Sequence, residues 1–182
     1  MSVRKKILVS LIILVAVFVF TIVIHDSFLT YRLYQRSLLA QESITKIKQE
    51  ANNKNWRAVG IILYKIDEHK KIIKKDFNSL ISLKYVPGLK QYREIGSDFF
   101  QAAENLIFVG KTSLALQEKF SLLLDDKTYS DLNSDDKEKI LNTIMDNERQ
   151  IQDIAFYLRA GSSQLKGLTN KKIPNNFSIF YF

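Results

Sequence analysis

The sequence predicts an all-α protein in which an N-terminal transmembrane helix continues into an antiparallel, coiled-coil-like bundle of about four long helices. Three observations carry this. Residues 7–24, ILVSLIILVAVFVFTIVI, form an unbroken apolar run. Beyond it, apolar residues recur three and four apart over long stretches, the period of an amphipathic helix. The chain has only six Gly and two Pro, too few turn formers for the reversals of an all-β fold.

The apolar run spans roughly 27 Å as a helix, close to the hydrocarbon thickness of a bilayer. Arg4, Lys5 and Lys6 precede it, and His25 and Asp26 follow. The positive-inside rule therefore predicts that residues 1–6 are cytoplasmic and residues 25–182 extracytoplasmic, on the cytoplasmic membrane. A cleaved signal peptide shares the basic flank and apolar core. However, the run is longer than a usual signal core, and no small-x-small cleavage site lies near its end. With no Cys in the chain, lipid-modified cleavage at a cysteine is excluded. The expectation is an uncleaved signal anchor at 7–24, with Phe28, Tyr31 and Tyr34 placed for the headgroup layer, where aromatic rings are favoured.

From Asp26 to about Lys54 the pattern stays helical, with Tyr31, Tyr34, Leu38, Ile44 and Ile47 on the stripe. The anchor helix is expected to run on into the outer domain. Asn52-Asn53-Lys54-Asn55 is the first turn signal. Trp56, Val59, Leu63, Ile66, Ile73, Phe77 and Leu80 then mark a second helix. It is expected to end near Lys84-Tyr85-Val86 and to be closed by Pro87-Gly88. In the third, Tyr92, Ile95, Phe99, Ala102, Leu106, Val109, Ser113, Leu116, Phe120 and Leu123 follow a 3-4 alternation that predicts a pairing seam. Small Ala102, Gly110 and Ser113 would let a neighbour approach midway. After a polar break around Asp125–Asn133, Asn133 or Ser134 is placed to cap the fourth helix. Asp135, Asp136 and Glu138 fall on its positive end. Its stripe is Ile140, Ile144, Ile151, Ile154, Leu158, Leu165 and Leu168, with Asn147 and Gly161 as the odd positions. The outer bundle is thus expected over 25–170. Residues 171–182 form an aromatic tail, Phe177-Ser178-Ile179-Phe180-Tyr181-Phe182, of high β propensity.

About 155 residues outside the anchor suit one domain. Of 27 Lys and Arg, three precede the apolar run, so 24 face 19 acids beyond it, a net +5. The absence of Cys leaves stability to packing rather than to disulfides.

Candidate chemistry is sparse. Lys70, Lys71, Lys74 and Lys75 share one helix face and make a possible contact for anionic lipid or a cell-wall polymer. Interspersed Asp67, Glu68 and Asp76 favour the plainer reading of a solvated face. Nucleic acid is disfavoured because no Arg or aromatic is interleaved with these lysines. Asp131-x-Asn133-x-Asp135 echoes a calcium loop, but Asp136 stands where Gly is required and Asn142 where Glu is, and helix capping accounts for the same residues. The two histidines, His25 and His69, lie apart. No nucleophile elbow, HExxH or phosphate-binding glycine motif is present. The reading is no enzyme, no cofactor and no metal. Trp56 opens an apolar stripe and reads as a core residue rather than a ligand-stacking ring.

Residues 51–120 carry Asn55-Trp56-Arg57-Ala58, then Phe77 and Leu80. Tyr85-Val86-Pro87-Gly88-Leu89 and Phe99-Phe100-Gln101-Ala102-Ala103-Glu104-Asn105-Leu106 follow. This passage resembles the helical N-terminal part of the domain of unknown function 4012 family, single-anchor bacterial surface proteins. There a helix leads through a similar Pro-Gly break into another amphipathic helix. The resemblance implies a cell-surface or envelope role. Four amphipathic stripes without a chemical constellation point to a membrane-anchored interaction or scaffold module that associates with other envelope proteins or with itself. The alternatives are a ligand-sensing bundle and an envelope-polymer-binding one.

Overall fold

No Gly or Pro occurs between Val3 and Asn52, and this stretch forms one uninterrupted helix, α1, of 50 residues. The computed structural model describes residues 3–124 and 129–170, the side chains of 3–9, 87, 169 and 170 excepted. The aromatic tail and Asp125 and Asp126 lie outside the described residues. After α1 come α2 (Trp56–Ser79), α3 (Ile81–Tyr85), a 3-10 turn at Pro87–Leu89, α4 (Lys90–Leu124), a second 3-10 turn at Tyr129–Asp131, α5 (Ser134–Asp146) and α6 (Glu148–Asn170). No strand occurs among the described residues.

The N-terminal part of α1 is of a length and composition that can cross a membrane, and none of its apolar window is buried by the rest of the protein. Large side chains from Leu11 to Ile24, Ile22 excepted, are more than half exposed. Within this run the Thr21 hydroxyl donates to the Val17 carbonyl at 2.9 Å, so its polarity is satisfied inside the helix.

The helices reverse where local chemistry dictates. Lys54 takes a left-handed φ of 55°, and Asn55 caps α2 by accepting the Ala58 amide at 3.3 Å. Asn133 caps α5 by accepting the Asp136 amide at 2.7 Å, with Asp135 and Asp136 in the first turn. Both caps satisfy amides that a helix start leaves without a partner.

Two of the four expected helices are interrupted, so the described residues hold six. The second stops at Ser79, several residues before the Pro-Gly signal. Leu80 there is extended (ψ 116°) and buried, and a new short helix begins at Ile81. The fourth breaks at Asn147, where the side-chain amide donates to the Thr143 carbonyl at 2.7 Å and so competes with the helical ladder.

Packing follows chain order. The last half of α1 lies on α2, α2 on α4, and α4 on α6, while α1 and α6 share no extended seam. The pairs are antiparallel. Asp26 meets Ser82, and Asn55 meets Glu50 at the opposite end. Phe77 stacks edge-on against Phe100 at 5.5 Å, and Asp67 meets Lys111. Phe108 contacts Tyr157, and Lys119 reaches Asn147. The buried apolar set is accordingly thin: Val59 on α2, Phe100, Ala102, Ile107 and Leu116 on α4, Ile140 on α5, Leu168 on α6 and Leu29 on α1 among them. Residues 26, 82 and 168 fall at the end of the array next to the apolar run; residues 52–56 and 147 fall at the other.

Candidate functional site

Between α2 and α4 the contact is framed by charge. Asp67, Lys70 and Lys74 stand three and four apart on α2, and Glu104 and Lys111 stand seven apart on α4, so both rows face one helix-helix groove. Lys111 Nζ lies 2.6 Å from Asp67 and Lys70 Nζ 2.9 Å from it. Glu104 is met by Lys74 at 2.9 Å and by Lys70 at 3.7 Å. The hydrogen bond from Lys111, helped by Lys70 and opposed by burial, holds the Asp67 carboxyl down at about 2. Glu104 is lowered by the hydrogen bond from Lys74, against burial, and by the charge of Lys70.

This places three of the four lysines read as a basic patch. Lys70, only 13% exposed, bridges two acids. Lys74 pairs across helices, and Lys71 pairs with Glu68 at 2.8 Å on its own helix. Lys75 is exposed. The sequence shows these lysines as one face of α2, whereas their acids come largely from the groove between helices. The readable signal was the heptad spacing of Asp67, Lys70 and Lys74 opposite Glu104 and Lys111.

The α1–α2 contact contains a second charge cluster that the apolar stripes did not reveal. Asp76 is buried, and Arg32 and Arg36 approach it to 3.3 and 3.8 Å. Its Oδ2 accepts no hydrogen bond, so compensation there rests on charge proximity. Nearer the apolar run, the Asp26 carboxylate accepts the Ile81 amide at 3.0 Å and the Ser82 amide at 2.8 Å. Burial raises the Asp26 carboxyl, but hydrogen bonds from Ser82, Ile81 and His25 outweigh it and leave it at about 2. His25 Nδ1 lies 3.1 Å from Asp26.

Of the expected α4 seam, Leu116 is buried; Tyr92, Ile95, Leu106, Val109, Phe120 and Leu123 are half-buried; Phe99 is 45% exposed. A strict seven-residue repeat drifts about 20° per heptad around a straight helix. Ala102, itself on the expected seam, lies covered against α6, whereas Phe100, off the seam, is buried towards α2. Ala102 is 0% exposed, and Gly161 of α6 sits against it and Leu106. Gly110 lies beneath Leu63.

Trp56 is not a core residue. At the first position of α2 it is 38% exposed. It lines a shallow open cleft with Arg57, Gly60, Tyr64, Lys111 and Leu114.

The free side of α1 is apolar. Phe28, Tyr31, Tyr34 and Leu38 are 59%, 62%, 42% and 42% exposed. Their spacing of three and four gathers them on one face, while Leu29, Arg32 and Arg36 turn towards α2. Among the described residues no group of three or more His, Cys, Asp or Glu is placed to hold a metal ion. No family model matches the chain, and neither a curated protein nor a solved structure matches it.

Proposed function

We propose that this chain is a non-enzymatic, membrane-anchored helical interaction module of the bacterial cell envelope. In this reading residues 7–24 cross the cytoplasmic membrane, Arg4, Lys5 and Lys6 hold the N-terminus inside, and the remainder faces outward. Support comes from the exposed apolar start of α1 and the charge asymmetry around it. The likeness of residues 51–120 to anchored bacterial surface proteins points the same way.

The observation that carries the interaction role is the stripe Phe28, Tyr31, Tyr34 and Leu38. Leu38 lies about 21 Å beyond Ile24 along the helix, whereas the headgroup layer is only about 5–8 Å thick. Lipid covers the start of such a stripe but not its end. A contiguous exposed apolar face of this kind marks a protein contact, met by another envelope protein or a second copy.

The test is photo-cross-linking in native membranes with the full chain carrying a cross-linker at Leu38, and at exposed Gln152 as reference. Discrete adducts from Leu38 and none from Gln152 are expected. No adduct from Leu38, or equal labelling from both positions, overturns the reading.

A further inference from the structure

The ten residues Ile81–Lys90, which turn the chain from α2 into α4, hold no acid and two lysines, Lys84 and Lys90. They also expose apolar surface: Tyr85 is 78% and Val86 47% exposed. Both stay exposed although α3 rests on α1 and α4.

The position of this elbow is fixed by Asp26. Its carboxylate holds the amides of Ile81 and Ser82, only two residues past Ile24, the end of the apolar run. Ser82 further shares a surface depression with Ile22, Val23 and Asp26. Ile22 is half-buried while the apolar side chains around it are more than half exposed. The elbow therefore sits beside the last turn of the apolar run, not above it. Because α2 runs antiparallel to α1, the elbow lies at the end of the array next to the apolar run.

From this we infer that the Ile81–Lys90 elbow is a second membrane contact, with Tyr85 and Val86 seated at the headgroup–acyl boundary of the outer leaflet and Lys84 and Lys90 among its phosphates. The inference rests on the reading of α1 as a membrane span. The chemistry fits the occupant. A tyrosine ring is favoured at the interface, a small apolar side chain enters the acyl margin, and lysines reach to anionic headgroups on flexible stems. None of these ten residues is an acid, which would oppose the contact; Glu94, one turn into α4, lies 3.9 Å from Lys90. The array is then held at two points, the span and the elbow, rather than swinging from a single helix.

The experiment uses the full chain in vesicles of phosphatidylethanolamine and phosphatidylglycerol, with acyl chains brominated near their headgroup end for the elbow probe and near their methyl end for the span probe, to quench tryptophan. Tyr85→Trp and, separately, Val17→Trp are placed in a Trp56→Phe background, and the unsubstituted chain reports from Trp56. The elbow probe is expected to lose roughly half its emission, as an interfacial side chain should. Trp56, about 40 Å away along α2, should lose none. Quenching at Val17 without quenching at Tyr85 overturns the elbow contact and leaves the span intact. Quenching at neither position overturns the span itself. Since Trp is drawn to interfaces, a nitroxide on Tyr85→Cys provides an independent readout in a chain with no other Cys. Relaxation by oxygen exceeding that by a water-soluble nickel chelate supports the contact, and the reverse overturns it.

Discussion

The Asp26 carboxylate accepts the Ser82 amide at 2.8 Å across 56 residues of sequence, and with the Ile81 amide it fixes where α3 begins. Asp26→Ala removes the acceptor for both amides. A loss of about 1–3 kcal/mol is expected for leaving such groups without partners. Amide exchange at Ile81 and Ser82 should accelerate markedly while exchange in the middle of α4 changes little. Unchanged exchange at both amides would show that the pairing does not hold the junction.

The α2–α4 contact should be sensitive to acid. Asp67 is held at about 2 in the fold against about 3.9 in an unfolded chain. Its stabilisation is therefore complete above about pH 4–5 and is lost as pH falls from there towards 2; Asp26 adds to it with the same sign. Urea unfolding in detergent should be constant from about pH 5 to 8 and weaken by about 1–2 kcal/mol for Asp67 alone at low pH. Asp67→Asn should lower stability at neutral pH and flatten the acid limb. An unchanged acid limb would assign that sensitivity elsewhere.

Gly96 and Gly167 should respond in opposite directions to alanine. A Cβ at Gly96 would meet the Phe77 ring, which packs on Phe100, whereas nothing lies within 4 Å at Gly167. Gly96→Ala is expected to cost about 1–3 kcal/mol through displacement of the ring. Gly167→Ala should gain up to about 1 kcal/mol in helix propensity. Thermal unfolding of the two variants separates these effects, and a neutral Gly96→Ala would mean that the ring yields freely.

Leu38→Lys separates association from folding. Leu38 is 42% exposed, so its replacement should change stability by less than about 0.5 kcal/mol. Cross-linked complexes formed through the neighbouring Tyr34 should nevertheless fall sharply. Intact complexes alongside intact stability would remove the stripe from the contact.

The features legible in the sequence were those set by near neighbours. The Asn133 cap, the turn at Lys54 and the continuity of α1 each depend on residues within one or two helical turns, and all appear where local chemistry puts them. The break at Leu80 is different. Its partner is Asp26, far away in sequence, and the Pro-Gly signal downstream drew the expected boundary several residues too late. Asn147 stood out as an odd position, but its competing bond to Thr143 and its contact with Lys119 were needed to show a break. On α2 the sequence showed Asp67 and Glu68 beside the lysines, but the pairing of Lys70 and Lys74 with Glu104, and of Asp67 with Lys111, needed the neighbouring helix.

α1 has no glycine, proline or other hinge between the apolar run and Asn52, and α2 lies along its outer half. Such a rod behaves as a lever. With its apolar end held in a bilayer, a 10° change of tilt would carry the Asn52 end, about 42 Å further along, sideways by about 7 Å. Changes in bilayer thickness, which alter helix tilt, would thereby be converted into displacement at the far tip, with little bending to absorb it.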